Sequence, residues 1–173
     1  MTTARSEHTL LIVFADITRF QHHARGLDDT ALADLLDAYY RFTEDLALRA
    51  SGQIVKFMGD EFLAVWIDDQ IPTGLAALQV IKREVDSWWT NHEWDSRLII
   101  KAHVGRAVIG TFGNESRFDV IGNAVNHAAT IPARTISLSG DAYNALDAAA
   151  QTAWQPQASG AFYTPKADAE PAA

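Results

Sequence analysis

The sequence has no cysteine and few basic residues, and each shortage excludes a class of protein. Its 173 residues contain no Cys, which excludes disulfide scaffolds, thiolate metal sites and thiol catalysis. Lys and Arg number 14 against 22 Asp and Glu, a formal net charge of −8. That balance argues against general nucleic-acid binding, which requires a basic face. A polyanionic ligand such as a nucleotide would need a metal ion or a few well-placed cations.

Long hydrophobic runs are also missing. The longest apolar stretch, residues 10–15, has the length of a strand and is far shorter than the ~18 residues that would span a bilayer. Residues 1–8 are polar and lack the apolar core of a signal peptide. We therefore expect a soluble cytoplasmic protein with no membrane partner and no nucleic-acid partner.

Hydrophobic periodicity predicts alternating strands and helices. Tight turns at Gly59-Asp60 and at Gly105-Arg106 would each join two strands into a hairpin. Two hairpins among the helices favour an α+β sandwich with a mostly antiparallel sheet over a doubly wound parallel one. Strands are expected at 10–15, 53–58, 61–66, 98–104, 107–112 and 135–138, with a loop at 113–116. Helices are expected at about 30–50, begun by the start signal Asp28-Asp29-Thr30, and at 72–88, 121–131 and 140–149.

Two aspartates stand at the ends of predicted strands. Asp16 ends the apolar strand 10–15, and Asp60 follows Gly59 at a hairpin tip. If these strands are neighbours, both carboxylates meet at one edge of the sheet, where they repel each other unless a proton or a divalent cation lies between them. Oxygen ligands without cysteine suit Mg²⁺ or Mn²⁺. A turn residue and a helix cap would give the same spacing, so the spacing alone leaves both interpretations open.

Lys56 and the segment around Asp119 add further polar groups. Lys56 shares its strand face with apolar neighbours, so it needs a partner or an exit to water, although an edge-strand lysine also fits the pattern. Asp119 precedes a Gly-Asn pair that opens a helix, on which Asn123 and Asn126 share a face. Such a group of side chains can hold a ribose or a base, or it can simply cap the helix.

Four motifs, in this order, resemble those of class III adenylate and guanylate cyclases. Residues 11–20 (LIVFADITRF) resemble the opening strand motif Phe-x-Asp-Ile-x-x-Phe, and residues 55–66 (VKFMGDEFLAVW) resemble the Lys-x-x-Gly-Asp hairpin. Residues 103–110 (HVGRAVIG) are similar to the glycine turn region, and residues 119–129 (DVIGNAVNHAA) to the segment Asp-x-x-Gly-Asn-x-Val-Asn-x-Ala-Ala. The resemblance covers roughly residues 8–146 and implies the ferredoxin-like sandwich of that family.

The resemblance also implies a two-metal site. Asp16 and Asp60, with the backbone carbonyl of Ile17, would bind two Mg²⁺ or Mn²⁺ ions, which lower the pKa of the ribose 3′-hydroxyl and hold the triphosphate. That hydroxyl attacks the α-phosphorus, and pyrophosphate leaves. Phe20 and Arg19 lie in the phosphate-binding turn and would contact the substrate. Arg19 stands where the family commonly has Gly, so it either adds a phosphate contact or blocks the approach of the backbone.

The same resemblance implies which base is bound. Lys56 would donate a hydrogen bond to adenine N1, and Asp119 would accept one from the 6-amino group, while Asn126 would position the ribose. Guanine reverses this donor and acceptor pattern, and the family commonly reads it with Glu and Cys instead. The pair therefore predicts ATP as the substrate, and cyclic AMP and pyrophosphate as the products.

In this family the site forms between two chains, so the resemblance implies a head-to-tail homodimer with two equivalent sites. Residues 1–150 are predicted to be the cyclase homology domain. Because the composition shifts to Ala, Pro, Gln and Ser, residues 151–173 are predicted to be a remnant of the final strand with a frayed tail from residue 168.

Three departures from the family pattern leave an alternative function open, and one of them is the apparent absence of the family's complete final strand. Thr130 stands where the family has a transition-state Arg, and Lys166 is a poor match to the late triphosphate Lys because Pro165 interrupts the motif. The candidates to replace the missing guanidinium are Arg117, Arg134 or an arginine of the partner chain. The alternative is a cyclase-homology domain that binds nucleotide or regulates through dimerisation, with little or no turnover.

Overall fold

A computed structural model describes residues 4–168, and one mostly antiparallel sheet organises them. Within this part of the chain the strands are β1 (Ser6–Ile17), β2 (Gln53–Met58), β3 (Glu61–Ile67), β4 (Leu98–Phe112), β5 (Arg117–Ile121), β6 (Ile136–Ser139), β7 (Trp154–Pro156) and β8 (Phe162–Pro165). Their order is β2-β3-β1-β4-β6-β8-β7, with β5 paired to the far end of β4. Only the pair β4–β6 is parallel among these strands. The predicted α+β class is confirmed.

Helices cover the two faces of the sheet unequally. The described helices are α1 (Phe20–Ala24), α2 (Asp29–Arg49), α3 (Ile71–Asn91), α4 (Asn123–Thr130), α5 (Gly140–Asn144) and α6 (Ala148–Gln151). The long helices α2 and α3 cover one face of the sheet, where they pack against Leu11, Val13 and Ala15 of β1. The short helix α4 contacts the other face through Ala124 and Ala128. Asp16 lies on the same side of β1 as Ile12 and Phe14, which belong to this second face.

The burial of the central strand β1 explains why its sequence is continuously apolar. Both of its faces are buried, since Leu11 and Val13 point toward α2 and α3 while Leu10 and Ile12 point toward α4. A strand with two buried faces reads as a continuous apolar run rather than an alternating one. At the start of α2, the Asp28 side chain accepts a hydrogen bond from the Ala31 amide at 2.9 Å, which confirms the predicted helix start.

The predicted hairpin at Gly105-Arg106 is wrong, because β4 runs through both residues without a turn. In the ladder Gly105 pairs with Leu10 and Arg106 with Thr9 of β1. A Cβ atom on Gly105 would lie 2.7 Å from the Ala124 Cβ and 2.8 Å from the His103 ring. This glycine therefore allows α4 to approach the sheet closely.

The second hairpin lies further along the chain, between β4 and β5. Its loop, residues 113–116, was predicted as a loop, but β5 was not predicted as a strand. Asp119 consequently lies inside β5, opposite Gly110. Helix α4 begins at Asn123, two residues later than predicted.

The C-terminal part also differs from the prediction. The helix expected at 140–149 is two short helices, because the Asp147 side chain accepts from the Ala150 amide at 2.7 Å and starts a second helix there. Beyond it, β7 and β8 form a hairpin that extends the sheet from β6, so more than a remnant of a final strand is present. The predicted frayed tail lies outside the described residues, except for Asp168. No helix among residues 4–168 is both long enough and apolar enough to cross a bilayer.

Gly74 is required by the packing of Trp66 beneath α3. A Cβ atom at this position would lie 2.5 Å from Trp66 Cγ and 2.8 Å from Leu11 Cδ2, and both side chains are buried. We expect Gly74→Ala to lower the free energy of unfolding by about 1–3 kcal/mol, as overpacking does, measured by urea denaturation. Gly140→Ala is the matched control, because a Cβ atom there meets nothing within 4 Å. Equal stability of the two variants would contradict this account of the α3 contact.

Candidate active site

The structure brings Asp16 and Asp60 together at one edge of the sheet. Asp16 lies near the end of β1, and Asp60 lies in the turn between β2 and β3. Because β1 pairs with β3, the two carboxyl groups approach closely enough to share a hydrogen bond. Burial first, and then the hydrogen bond and the charge of Asp16, raise the pKa of Asp60 to about 7. Two carboxyl groups that share a hydrogen bond either retain a proton between them or attract a cation.

The turn that carries Asp60 is fixed from helix α2. Gly59 has a φ of +71°, a conformation that glycine adopts without steric cost. The Tyr40 hydroxyl donates to the Gly59 carbonyl at 2.7 Å. The Tyr40 ring also stacks on Phe57 of β2, with a centroid separation of 3.9 Å. Helix α2 therefore holds Asp60 in place beside β1.

The donor set at this edge fits a hard divalent cation. Asp16 and Asp60 supply carboxylate oxygens, and the peptide of Ile17 follows directly, its N–H donating to Asp16 Oδ1 at 2.9 Å. In the part of the chain that the structure describes, no three His, Asp or Glu side chains are grouped so that they alone could hold a metal ion. A cation here would take its remaining ligands from backbone oxygen, water or phosphate, as Mg²⁺ commonly does.

The turn after Asp16 borders a cavity of about 320 Å³ that also touches Asp60. Arg19 has a φ of +60° and its guanidinium forms an ion pair with Asp95. The Phe20 ring packs against Trp94 with a centroid separation of 5.8 Å. The predicted contact of Arg19 with phosphate therefore competes with Asp95 for the same guanidinium.

Lys56 and Asp119 face each other across β2 and β5, as their predicted roles require. The Lys56 Nζ lies 2.9 and 2.8 Å from the two Asp119 carboxylate oxygens. Asp119 Oδ1 also accepts from the Val120 amide at 2.8 Å. The Lys56 side chain is 42% exposed, and ion pairs that exposed contribute only about 0–1 kcal/mol to stability. The ion pair between Lys56 and Asp119 therefore contributes little to folding stability, and its polar atoms remain accessible to a ligand.

Asn126 lies on the exposed side of α4, next to the end of β5. A cavity of about 460 Å³ is bordered by Val120 of β5, by Asn126 and by Asn123. This cavity adjoins the strand that carries Asp119. Asn126 and the strand that carries Asp119 therefore border one cavity. The predicted role of Asn126 toward a ribose stays a prediction.

Neither Arg117 nor Lys166 borders the cavity at Asp16 and Asp60. The Thr130 hydroxyl is turned back onto its own helix, where it donates to the carbonyls of Asn126 and His127 at 3.2 and 3.1 Å. Arg117 pairs with Glu115 in the β4–β5 loop. Lys166 begins an exposed 3₁₀ turn after β8.

Two charged residues near the carboxylates were missed in the sequence. Burial and the charge of Asp16 raise the pKa of Glu61, while the positive charge of Lys101 opposes this rise. Lys101 lies on β4 opposite Phe14 of β1, and its Nζ lies 3.4 Å from the Ala129 carbonyl of α4. A lysine inside an apolar strand, the same signal that drew attention to Lys56, marks this position in the sequence.

The two tyrosines of α2 were also missed as possible site residues. The helical spacing of Tyr39 with Leu35 and Leu36 indicates only the apolar face of a helix, and all three side chains take part in the core packing. What the periodicity does not show is that the hydroxyl of Tyr40 reaches the Asp60 turn. Hydroxyl positions depend on the tertiary contacts of the helix rather than on its period.

Comparisons with known proteins agree with this arrangement. The profile of the adenylate and guanylate cyclase catalytic domain matches residues 2–162. An adenylate cyclase of Anabaena cylindrica is 27% identical over 142 residues, which is 76% of this chain. The chain spans only 28% of the length of that relative.

Solved structures share the fold at low sequence identity. The guanylyl cyclase domain of the RhoGC fusion protein from Blastocladiella emersonii, crystallised as a non-canonical dimer, superposes with a TM-score of 0.79 and 19% identity over 94% of this chain and 98% of that one. The adenylyl cyclase CyaB from P. aeruginosa superposes with a TM-score of 0.67 and 23% identity over 82% of this chain and 81% of that one. The catalytic core of a rhodopsin-guanylyl cyclase with converted specificity, in complex with ATPαS, superposes with a TM-score of 0.72 and 22% identity over 82% of this chain and 83% of that one.

These relatives include both adenylyl and guanylyl cyclases, so similarity to them does not show whether this chain binds adenine or guanine. The family profile nevertheless spans nearly the whole chain, and the sheet carries the family's motif residues at its exposed face and edge. The chain belongs to the adenylate and guanylate cyclase catalytic domain family, and it is a class III nucleotide cyclase domain.

Proposed function

We propose that this domain converts ATP to 3′,5′-cyclic AMP and pyrophosphate for intracellular signalling, working as a head-to-tail homodimer with two Mg²⁺ or Mn²⁺ ions per site. The observation that carries the choice of ATP is the contact of the Lys56 ammonium with both oxygens of Asp119, at 2.9 and 2.8 Å. Together they present a donor and an acceptor side by side. Adenine offers the complementary pattern, an acceptor at N1 and a donor at the 6-amino group.

Asp16 and Asp60 support the metal part of the proposal. When bound there, divalent cations would lower the pKa of the ribose 3′-hydroxyl and neutralise the triphosphate. The chain's own contribution is to hold the two carboxylates in place through β1 and the Tyr40-anchored turn, so that little reorganisation is needed during the reaction. Asn126 would orient the ribose so that its 3′-oxygen attacks the α-phosphorus in line.

Exposed apolar residues support dimerisation through the same face. Met58 lies two residues after Lys56 on β2, and Ile121 lies two residues after Asp119 on β5, so each shares a face with one member of the pair. Their exposed fractions are 41% and 53%. Exposed apolar groups beside a functional pair are typical of an interaction surface. In the proposed dimer a second copy covers them and contributes its Asp16 and Asp60.

The direct test is an assay of cyclic AMP formation from ATP with Mn²⁺ or Mg²⁺. We expect product from the wild-type domain and a loss of at least about 100-fold in Asp60→Ala, the scale of losing one electrostatic contact to the reacting group. Circular dichroism and gel filtration of the variant would show that its fold and its oligomeric state are unchanged. Wild-type product no higher than that of Asp60→Ala would reject the proposed activity.

Thr130 favours one second candidate, a nucleotide-binding module with little turnover. Its hydroxyl bonds within α4, and a methyl-bearing alcohol offers no positive charge to the transition state. Losing such a charge costs about 2.7–4 kcal/mol, or about 10²–10³ in rate. Calorimetric titration with MgATP separates the two functions, because binding without product supports the module. Failure to bind any nucleotide would reject both.

A further inference from the structure

Asp95 binds two side chains of the turn and helix that follow Asp16. Its Oδ2 atom forms an ion pair with the Arg19 guanidinium, and its Oδ1 atom lies 2.6 Å from Nε2 of His23. Arg19 borders the same cavity as Asp16 and Asp60. Asp95 belongs to the segment between α3 and β4. A carboxylate from another part of the chain therefore holds a guanidinium at the edge of the candidate active site.

The segment that carries Asp95 is fastened to the end of β1. The Thr18 amide donates to the Arg97 carbonyl at 2.9 Å, and the Thr18 hydroxyl accepts from the Arg97 amide at 2.8 Å. The His23 ring stacks on Trp94 with a centroid separation of 4.9 Å. These contacts do not involve the guanidinium, so Asp95 and His23 stay together when the guanidinium moves.

The backbone at Arg19 indicates a use for its side chain. Its φ of +60° lies in the left-handed region, which glycine adopts without the steric cost that a side chain brings. Residues held in such conformations cluster at functional sites. The Arg19 side chain is 52% exposed, so its ion pair with Asp95 adds little to folding stability. A guanidinium at the edge of this cavity is, by contrast, well suited to bind phosphate oxygens.

We infer that Asp95 is a positioning residue that competes with the phosphate chain of the substrate for the Arg19 guanidinium. The inference rests on the proposed function, because it places the phosphates in the cavity beside Asp16 and Asp60. When phosphate binds, the guanidinium leaves Asp95 and donates to a phosphate oxygen, and His23 remains on Asp95. Asp95 thus lowers the affinity for phosphate without touching the substrate. By binding the guanidinium again, it also favours the release of pyrophosphate.

The experiment is a double-mutant cycle of Asp95→Asn and Arg19→Gln in the full chain, measured as calorimetric binding of inorganic tripolyphosphate with Mg²⁺. Tripolyphosphate has no base and no ribose, so neither base recognition nor turnover affects the result. We expect Asp95→Asn to tighten binding about 2- to 5-fold, the scale of an exposed ion pair. Arg19→Gln should weaken it about 10-fold, the scale of one hydrogen bond to a charged group. With Arg19→Gln already present, Asp95→Asn should have little effect, because no guanidinium remains to be released.

Asp68→Asn is the matched control for the loss of one carboxylate. Asp68 also contacts a histidine, with 2.7 Å between its Oδ2 and Nδ1 of His8, but it follows β3 whereas Asp60 precedes that strand. Its replacement should leave tripolyphosphate binding unchanged. Circular dichroism of each variant would show that the fold is retained.

Two results would overturn the inference. Weaker or unchanged binding in Asp95→Asn would show that Asp95 does not compete for the guanidinium, since a carboxylate that only supports the turn cannot strengthen binding when it is removed. An equal gain with and without Arg19→Gln would show only the loss of a negative charge near the cavity. Either result leaves the proposed function standing if the wild-type domain forms cyclic AMP. A cycle that behaves as expected in a domain that forms none supports the role of Asp95 and rejects the proposed activity alone.

Discussion

Mixing two inactive variants, Asp60→Ala and Asp119→Ala, is expected to restore about a quarter of the wild-type rate of cyclic AMP formation. The proposed dimer is head to tail, so each site takes its carboxylates from one copy and its base-reading pair from the other. A mixed dimer then has one intact site and one doubly defective site. Random exchange makes half of the dimers mixed, each with one of two sites working. The measurement is the rate after equal amounts are mixed and allowed to exchange.

The control for this experiment is a mixture of Asp16→Ala with Asp60→Ala. Both substitutions damage the same half of a site, so no mixed dimer has an intact one, and no activity should return. Two tagged versions of the chain, purified through one tag and detected through the other, would show that mixed dimers form. Mixed dimers that stay inactive with Asp119→Ala would contradict the two-chain site.

Local patterns predicted most of the fold correctly. The apolar run of β1, the N-cap at Asp28 and the Gly59-Asp60 turn each depend on a few neighbouring residues, and each is confirmed. The turn at Gly105 failed for a reason that lies elsewhere in the chain. This glycine makes room for Ala124 of α4, and the sequence pattern does not distinguish a glycine needed for close approach from one needed for a turn.

The pairings at the candidate site were also predictable, but only in part. The meeting of Asp16 with Asp60 follows from two strand ends, and the structure shows it. Lys56 and Asp119 are 63 residues apart in sequence, and their contact depends on β5, a strand that periodicity did not indicate. It was expected from the resemblance to the cyclases rather than from the spacing. Neither the periodicity nor the resemblance predicted the contact of the Tyr40 hydroxyl with the Gly59 carbonyl.

The largest change in substrate preference is expected from Lys56→Glu combined with Asp119→Cys. In the wild-type protein, Lys56 donates to adenine N1 and Asp119 accepts from the 6-amino group. Glu in place of Lys accepts from guanine N1–H, and the thiol offers O6 a weak donor. Hydrogen-bonding pairs that read base edges are worth about 1–3 kcal/mol of discrimination, or about 5- to 150-fold. The ratio of kcat/KM for GTP to that for ATP should rise by at least this factor.

The design of the control follows from the geometry of the pair. Each single variant leaves one mismatched group, since Lys56→Glu places two carboxylates where the structure has an ion pair at 2.8 Å, and both are expected to lose ATP turnover without gaining GTP turnover. Lys166→Met changes a lysine on the 3₁₀ turn after β8 and should leave the GTP to ATP ratio unchanged. The hydrogen-bonding pattern is reversed only when the donor and the acceptor are exchanged together. A gain in GTP turnover that occurs in the double variant alone would therefore place the base between β2 and β5. An unchanged ratio in a folded, active double variant would show that the base binds elsewhere.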